Sequence, residues 1–525
     1  MRLAPFASRY AAAGVVCAID HLAASAGVAM LRAGGSAADA AVATSAVLAV
    51  TSQHMCGMGG DLFALVQLDG SAPTALNSSG RAGSGADPAR LRAEGYTSIP
   101  PHGDIRCVPV PGCVDGWLAL HARYGRLPLA EVLGPATAYA AGGFPVSSSL
   151  VVAVQATRGL PGGEDFEAAR HPGAVIRRPG VARALEAVVE GGREAFYGGE
   201  FGEGLVGLGA GEYLPSDLAT PLADWVVPLS VGAFGSRIWT TPPNSQGYLT
   251  LAGAYIADGL ELPSDADDPL WAHLTIEAAC QAAYDRTAVL HEHADGRWLV
   301  SPERLAARRA AISPDKAALL PGSYENGDTI FLCAVDKERM GVSLIQSNAG
   351  SFGSGLAEPN TAIFLQNRGV GFSLEPGHPA EYGPGRRPPH TLSPALVTSA
   401  DNHLQAVMGT MGGDAQSQIL LQLLCRMLGS KEPVGDAIAA PRWVLSNASG
   451  PGSFSTWGEG RAIEVELEPT APAAWHEGLT ARGHAVVAHP DLGLGSGHAH
   501  VIACREGYLE AASDPRALEG AAAGY

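Results

Sequence analysis

Apolar residues in the first fifty positions are spaced for helices. A helix is predicted from about 21 to 32, ended by Gly34-Gly35, and Ser36 is placed to cap a second helix that runs to about Val50. The second helix is rich in alanine and apolar on nearly all faces, which is typical of a helix buried inside a large protein. An apolar strand, 62–66, follows soon afterwards.

A β-hairpin is predicted in the second half of the chain. Apolar residues favour a strand over 329–335, a turn over 336–340 and a second strand over 341–347. Further on, a strand near 405–408 is followed by a helix from about 414 to 428. Helical and β-like blocks thus alternate along the chain, which indicates a layered α/β architecture. The length of 525 residues allows either two to four domains or one large core.

The chain is acidic, with a formal net charge of −18 at pH 7, and its Asp and Glu residues are spread rather than clustered. Binding to nucleic acid irrespective of sequence needs clustered Lys and Arg, and binding to anionic membranes needs a basic surface. Neither partner is therefore expected. The N-terminus has no basic segment followed by a long apolar run, so we expect no signal peptide and a cytoplasmic protein.

No metal site or cofactor is expected from the sequence. The 8 cysteines form no CxxC pair, and the 16 histidines form no HExxH cluster. Reduced thiols in the core are the simplest interpretation of the cysteines. Nothing resembles a phosphate-binding loop.

Thr329 opens the predicted hairpin directly after a small Gly327-Asp328 step. A threonine at a chain N-terminus carries a hydroxyl and an α-amine on one residue, and the amine can take the hydroxyl proton without a separate base. Inside an intact chain that nitrogen is an amide, so this chemistry requires scission between Asp328 and Thr329. The common alternative is a threonine that merely opens a β-strand.

Two further features lie where such a nucleophile needs them. Ser347 ends the second hairpin strand, where its hydroxyl could face back toward Thr329. Gly412-Gly413 lies between an apolar strand and a helix, and two adjacent backbone N–H groups at a helix N-terminus can form an oxyanion hole. A tight turn is the alternative interpretation of the glycine pair.

Together these residues resemble the gamma-glutamyltranspeptidases. The motifs that carry the resemblance keep the family's order over nearly the whole chain: Asp39-Ala-Ala-Val-Ala43, Gly57-Met-Gly-Gly-Asp61, Val110-Pro-Gly-Cys-Val-Asp-Gly-Trp117, Pro242-Pro243-Asn-Ser-Gln-Gly247, Asp328-Thr329, Phe352-Gly-Ser-Gly355, Arg387-Pro388, Ser393-Pro394, Gly412-Gly413 and Ser513-Asp-Pro-Arg516.

The resemblance implies the four-layer αββα sandwich of the N-terminal-nucleophile hydrolases, an α/β (α+β) fold. Segments 1–328 and 329–525 would both feed strands into this one unit as a processed heterodimer, with or without further oligomerisation. Thr329 would be the nucleophile, and Ser347 takes the place of the family's second threonine. Gly412 and Gly413 would stabilise the tetrahedral intermediate. An acyl-enzyme on Thr329 would pass its acyl group to water or to an amine.

The substrate pocket departs from that of a true gamma-glutamyl enzyme. The family's Asn position holds Ala349, although Asn348 is adjacent, and Arg368 stands where Gln is expected. Gly371 replaces the acidic residue that binds the α-amino group of the glutamyl substrate. The loss of a carboxylate removes the partner of an ammonium, and an added guanidinium attracts an anion instead.

The family's carboxylate-binding residues are also changed. His390 and Thr391 stand where the family has a pair of serines, and the carboxylate-binding arginine has only a shifted counterpart, Arg81. The stretches 366–369 and 387–391 look more like the amidohydrolase branch, which includes oxamate amidohydrolase-like and acylase-like members. The leading hypothesis is therefore an autoprocessed amide hydrolase or acyltransferase for a small, anionic, non-glutamyl substrate.

Three alternatives stay open at this point. Some members of the superfamily resemble hydrolases of a C–C bond beside a carbonyl, acting in antibiotic pathways that make alkylated proline units. A true gamma-glutamyltransferase would require Asn348 and Arg81 to rebuild the glutamyl site differently. An unprocessed relative could serve as a non-catalytic binding protein.

Overall fold

A computed structural model describes residues 8–320, 322, 328–447, 462–488 and 496–525. The strands of these regions are, in chain order, β1 (Arg9–Ala11), β2 (Val15–Ala18), β3 (Asp61–Gln67), β4 (Thr74–Ser78), β5 (Phe144–Pro145), β6 (Val175–Ile176), β7 (Asp224–Val226), β8 (Leu229–Ala233), β9 (Ser236–Thr240), β10 (Asp328–Val335), β11 (Gly341–Ala349), β12 (Ala395–Thr398), β13 (Leu404–Thr410), β14 (Trp443–Asn447), β15 (Ile463–Leu467), β16 (Ala485–Ala488), β17 (Ala499–Arg505), β18 (Tyr508–Ser513) and β19 (Ala521–Gly524).

The helices of the same regions are α1 (His21–Arg32), α2 (Ala37–Thr51), α3 (Pro88–Ala93), α4 (Cys113–Tyr124), α5 (Leu129–Gly142), α6 (Ser148–Ala153), α7 (Pro179–Tyr197), α8 (Glu200–Leu208), α9 (Pro215–Ala219), α10 (Tyr248–Asp258), α11 (Pro269–Ala283), α12 (Arg286–Val289), α13 (Gly296–Leu299), α14 (Pro302–Ala310), α15 (Gln416–Leu424), α16 (Val434–Ala439) and α17 (Ala473–Ala481). None of these described helices is long and apolar enough to cross a membrane.

Most strands join one of two seven-stranded antiparallel sheets. Sheet 1 has the order β1-β18-β17-β13-β12-β9-β8, and sheet 2 has the order β19-β2-β10-β11-β3-β4-β7. The predicted hairpin is the pair β10–β11 at the centre of sheet 2, in register from Val335 opposite Gly341 to Ile330 opposite Gln346. The strands β14–β15–β16 and β5–β6 form two small separate sheets.

Three apolar cores separate four layers. Successive strand residues point to opposite faces of a sheet, so Phe63 and Leu65 of β3 face sheet 1 while Leu62 and Ala64 face the helices. Helices α1 and α2 cover the outer face of sheet 2, and α10 and α15 cover the outer face of sheet 1. The predicted αββα sandwich is confirmed.

Helix α2 shows how the sequence produces the layering. Ser36 and Asp39 form a capping box that satisfies backbone N–H groups at the start of the helix, and every residue of the helix is buried. Its alanines let neighbours approach closely. A Cβ on Gly27 of α1 would lie 2.3 Å from the hydroxyl of Thr44, so only glycine fits at this crossing.

Strands from both sides of residue 328 interleave in both sheets. In sheet 2, β10 lies between β2, which precedes it by more than three hundred residues, and β11. In sheet 1, β9 from the first part of the chain pairs with β12 from the second. Neither part of the chain can therefore complete a sheet on its own.

Candidate active site

Thr329 lies at an irregularity in the central hairpin. Asp328 pairs with Ala349 and Ile330 pairs with Gln346. A step of two residues along β10 therefore corresponds to a step of three residues along β11. The extra residue on β11 is a β-bulge, a device that re-aims side chains. The Thr329 hydroxyl donates a hydrogen bond to the Ser347 Oγ at 3.2 Å, and both residues are buried. Gly327, beside the predicted scission point, lies outside the described residues.

Strand β13 brings Gly412-Gly413 to the same edge of the sandwich. Gly341 at the start of β11 packs against Leu404, and the Ser343 hydroxyl donates to the Met408 carbonyl at 3.3 Å. The two strands therefore run in the same direction across the interface between the sheets. Ser347 lies four residues beyond Ser343, and Gly412 lies four residues beyond Met408. The end of β11 and the glycine pair therefore lie at one edge of the sandwich.

Both glycines of this pair adopt conformations that suit glycine. Gly412 has φ 127° and Gly413 has φ 55°, and both are buried. Within the part of the chain that the structure describes, neither N–H donates a hydrogen bond, although the Gly413 carbonyl accepts one from Gln246 Nε2. Two buried, uncommitted N–H groups can stabilise an oxyanion.

Thr391 is linked to the glycine pair. Gln246 Nε2 donates to the Thr391 carbonyl at 3.1 Å and to the Gly413 carbonyl at 3.2 Å, which holds the two segments together. The Thr391 hydroxyl is buried and has no hydrogen-bond partner among the described residues. A buried hydroxyl of this kind is available to a bound molecule.

Asp61 anchors a buried hydrogen-bond network beside Ser347, to which it is paired across β3 and β11. Asp61 Oδ1 accepts from the Gly80 N–H and from Gln366 Nε2, each at 2.8 Å, and Oδ2 lies 3.0 Å from His390 Nε2. The Leu392 N–H donates to His390 Nδ1, so the proton of the neutral ring sits on Nε2 and is donated to Asp61.

Four charged groups gather around this network. Burial lowers the pKa of Arg368 to about 10, against the opposing effect of Asp61 and Asp414, and Arg286 lowers it further. Arg368 therefore remains a cation at neutral pH. Arg286 Nη2 lies 2.6 Å from the Asp414 carboxylate, and both of these side chains are buried. Asp414 follows the glycine pair directly, so this ion pair fixes the start of the following helix.

Buried neutral histidines make the fold sensitive to acid. Burial, followed by the charge of Arg368, lowers the pKa of His390 to about 4, and burial lowers the pKa of His500 to about 3. The unfolded chain binds a proton at these residues below about pH 6.5, whereas the folded chain does not until much lower pH. Their contribution to the free energy of unfolding is therefore fully present above pH 6.5. It is lost as the pH falls from 6.5 to about 4 for His390 and to about 3 for His500.

We expect His500→Leu to reduce this acid sensitivity. One such histidine contributes about 2 kcal/mol to the loss of unfolding free energy between pH 7 and pH 5. Urea unfolding at both pH values should show that difference between His500→Leu and the unsubstituted protein. His171→Leu, at an exposed histidine, is the control and should leave the pH dependence unchanged. Equal pH dependence in all three proteins would contradict the assignment.

Backbone closes the space beside Gly371, the position at which the sequence predicts the loss of a carboxylate. A Cβ on Gly371 would lie 2.6 Å from the Pro389 carbonyl oxygen, so a longer side chain requires the backbone to move. Nearby, Asn348 donates through Nδ2 to the Gln53 carbonyl, and its Oδ1 is buried with no partner among the described residues. Ala349 has φ 75°, which places its N–H on the Ser347 Oγ at 2.8 Å.

Arg81 is engaged in a separate ion pair. Its Nη1 lies 2.6 Å from Glu292 and donates to the Gly385 carbonyl, and its side chain is 28% exposed. The structure thus gathers Thr329, Ser347, Arg368, His390 and Thr391 around one edge of the sandwich, whereas the Arg81 guanidinium faces Glu292.

Sequence reasoning missed several residues of this site. Asp61 and Gln246 lie in motifs that carry the family resemblance, but neither residue was assigned a role of its own. The glycines beside them were the sequence feature that could have drawn attention to both. Arg286 had no signal at all, because its role depends on a break between α11 and α12 that turns it toward Asp414, 128 residues away.

Comparisons with known proteins agree with this architecture. A gamma-glutamyltranspeptidase family profile matches residues 23–525. The oxamate amidohydrolase proenzyme of Klebsiella pneumoniae is 36% identical over 536 residues, covering 98% of each chain. The glutathione hydrolase-like YwrD proenzyme of Bacillus subtilis is 34% identical over 530 residues, covering 97% of this chain and 98% of its own.

The structural comparison extends the agreement to the whole fold. The crystal structure of cephalosporin acylase from Bacillus halodurans has a TM-score of 0.89 and 32% sequence identity, and the match covers 99% of this chain and 97% of that one. The chain belongs to the gamma-glutamyltranspeptidase family of enzymes.

Proposed function

We propose that the chain is a proenzyme that cuts itself between Asp328 and Thr329 and then hydrolyses amides of small anionic acids. The observation that carries this proposal is the buried Thr329–Ser347 hydrogen bond of 3.2 Å. It lies at the edge that also holds Gly412 and Gly413, whose N–H groups donate to none of the described residues. The two resulting segments, 1–328 and 329–525, stay together as a heterodimer because their strands interleave in both sheets.

Scission uses the same hydroxyl as catalysis. The Thr329 Oγ attacks the carbonyl carbon of Asp328, the C–N bond breaks, and the nitrogen of Thr329 becomes a free amine while Asp328 is held as an ester. Water then hydrolyses the ester to the Asp328 carboxylate and the Thr329 hydroxyl. The proton of the Thr329 hydroxyl moves to the departing nitrogen, which becomes the amine. Ser347 orients the attacking oxygen through their hydrogen bond.

Turnover follows the logic of an N-terminal nucleophile. The α-amine of Thr329 takes the hydroxyl proton as the oxygen attacks the substrate amide, and the oxyanion is stabilised by the N–H groups of Gly412 and Gly413. The amine then passes the proton to the leaving nitrogen. Water, or an acceptor amine in a transfer reaction, releases the acyl group from Thr329.

The substrate class is proposed from Arg368 and Gly371. A buried cation with a pKa of about 10 recognises a carboxylate, and the closed space at Gly371 leaves no room for a side chain that would bind an α-ammonium group. The relative named oxamate amidohydrolase acts, by its name, on an acid whose carboxylate is next to an amide. We therefore place oxamate and short homologous amides of dicarboxylic acids first among candidate substrates.

The other predicted site residues have different roles in this proposal. The uncommitted Thr391 hydroxyl and Asn348 Oδ1 contact the polar part of the substrate. His390 acts as a positioning residue because both of its ring nitrogens are already occupied, by Asp61 and by the Leu392 N–H. The sequence predicts Arg81 as a substrate contact, but its ion pair with Glu292 favours a role in holding the surrounding loop instead, and the proposal assigns it that role.

A panel of amides tests the function. Purified, processed protein is incubated with oxamate, malonamate, succinamate, neutral amides, glutathione and a β-lactam side-chain amide, and release of ammonia or amine is followed. The proposal expects the highest kcat/KM on a small anionic amide and poor turnover of glutathione. Rapid hydrolysis of glutathione alone would establish a gamma-glutamyl enzyme, and no amide turnover at all would favour C–C bond chemistry.

Ser347→Ala should slow scission by about tenfold, because the hydrogen bond that the attacking Thr329 hydroxyl donates to Ser347 is lost. Ser347→Thr should preserve the rate, since the hydroxyl is retained. The measurement is the fraction of cut chain with time after cell-free synthesis. Ser343→Ala on the same strand is the matched control, because its buried hydroxyl binds the Met408 carbonyl instead. Equal rates for the two alanine variants would exclude a role for Ser347.

A further inference from the structure

A second cluster of chemically active side chains lies away from the candidate active site. His273 and Glu277 are buried, His484 is half-buried with a side chain only 7% exposed, and the ligand atoms of the three residues all lie within 4.8 Å of one another. Glu277 and His484 also line a cavity of about 310 Å³ that includes Cys280. We propose that His273, Glu277 and His484 bind one divalent transition-metal ion, with Zn²⁺ as the preferred occupant.

The arrangement matches the geometry of a zinc site. His273 and Glu277 lie four residues apart on α11, one helical turn, so they share a face of the helix. His273 Nδ1 lies 2.8 Å from His484 Nε2, and His484 Nε2 lies 3.9 Å from Glu277 Oε1. Ligand atoms around a tetrahedral ion with bonds of about 2.0–2.1 Å are separated by about 3.3 Å, between these two values.

The surroundings of His273 fix the ring in the form that binds a metal. Its Nε2 lies 2.8 Å from the Ser313 carbonyl, to which only an N–H can donate. Nδ1 of the neutral ring therefore carries a lone pair that accepts the Nε2–H of His484 at 2.8 Å. An ion takes the place of this proton, which moves to Nδ1 of His484. A ligand histidine whose other nitrogen donates to a backbone carbonyl is the usual outer arrangement of protein zinc sites.

Glu277 supplies the second argument, since its buried carboxylate has little to balance its charge. Among the described residues, both oxygens share a single donor, the Ala318 N–H, at 3.2 Å. Among the described residues, the nearest group at an ion-pair distance is His484, at 3.9 Å. A buried carboxylate normally pairs with a cation or a metal. Two histidines and a carboxylate form a ligand set that zinc accepts, with a fourth position for water from the cavity.

The proposed metal site contains residues from both sides of the predicted scission point. His273 and Glu277 precede residue 328, and His484 follows it, so one ion would join the two proposed segments. The same side chains contact the Ser313 carbonyl and the Ala318 N–H, near the end of the first segment. This bridging role rests on the proposed scission, whereas ion binding does not, because the cluster is complete in the uncut chain.

The test is metal binding rather than activity. Full-length protein and its Thr329→Ala variant are stripped with a chelator and titrated with ZnCl₂ by calorimetry, and the metal content before stripping is measured by mass spectrometry. We expect about one equivalent of Zn²⁺ in both proteins and a higher thermal midpoint when Zn²⁺ is added. Binding in both proteins separates this inference from the fate of the proposed scission.

Variants locate the ion. Glu277→Gln and His484→Ala should each lower Zn²⁺ affinity by about tenfold or more and remove the thermal shift. His476→Ala, at an exposed histidine on the neighbouring helix α17, should change neither. If His484→Ala does not fold, Glu277→Gln decides, because the amide keeps the shape of the carboxylate. No bound Zn²⁺, or equal binding by Glu277→Gln and the unsubstituted protein, would overturn the proposal.

Discussion

Replacing Thr329 by alanine should abolish amide hydrolysis and leave a single uncut chain. The substitution removes the hydroxyl that bonds to Ser347 and that the proposal assigns to both scission and turnover. Loss of a nucleophile typically lowers kcat by about 10⁴-fold or more. Activity is measured with the amide that the panel identifies as the best substrate, and chain length is measured in the same sample.

Two further variants separate chemistry from folding. Thr329→Ser keeps a hydroxyl and should be cut and retain measurable turnover. Thr44→Ala removes another buried threonine hydroxyl, which donates to the Ala40 carbonyl in α2, and should be cut and active. Full activity in Thr329→Ala would show that the reaction uses a different nucleophile.

Replacing Arg368 by glutamine should lower kcat/KM about ten- to a hundredfold for anionic amides and change it little for neutral ones. A hydrogen bond to a charged group contributes about 1.5–3 kcal/mol, which corresponds to this range of rate. The Arg368 guanidinium is buried near Asp61 and Asp414. Paired assays on oxamate and on a neutral amide of similar size give the ratio that reports recognition of the carboxylate.

Arg81→Gln is the matched control for this prediction. Its guanidinium pairs with Glu292 and is partly exposed, so we expect less than about a threefold change in the ratio. Arg368→Lys keeps the charge but loses the planar fork and should recover part of the preference for anionic amides. Equal losses on anionic and neutral substrates in Arg368→Gln would assign that arginine to structure rather than to recognition.

Local signals in the sequence predicted individual helices and strands, whereas the αββα sandwich was implied by the family resemblance. The Ser36 cap, the alanine-rich helix behind it and the hairpin that starts at Thr329 were all predicted, because caps and apolar periodicity act within a few residues. The order of strands in the two sheets did not follow from these signals. It depends on pairings such as β2 with β10, which join residues more than three hundred positions apart.

The sequence allowed predictions only for candidate site residues whose role can be inferred from their immediate neighbours in the chain. A threonine after a small residue and a glycine pair before a helix have recognisable local meaning. The bulge that places two β11 residues opposite Thr329 has none, because register is set by the whole sheet. Arg286 and the His273–Glu277–His484 cluster were missed for the same reason, since each joins side chains more than a hundred residues apart.

The most direct test is the intact mass of the freshly purified protein, with the N-terminal sequence of any fragment. We expect two species that correspond to residues 1–328 and 329–525, the second beginning with Thr329, and a single species for Thr329→Ala. A single uncut chain in the unsubstituted protein, or a cut elsewhere, would contradict the assignment of Thr329 as an N-terminal nucleophile.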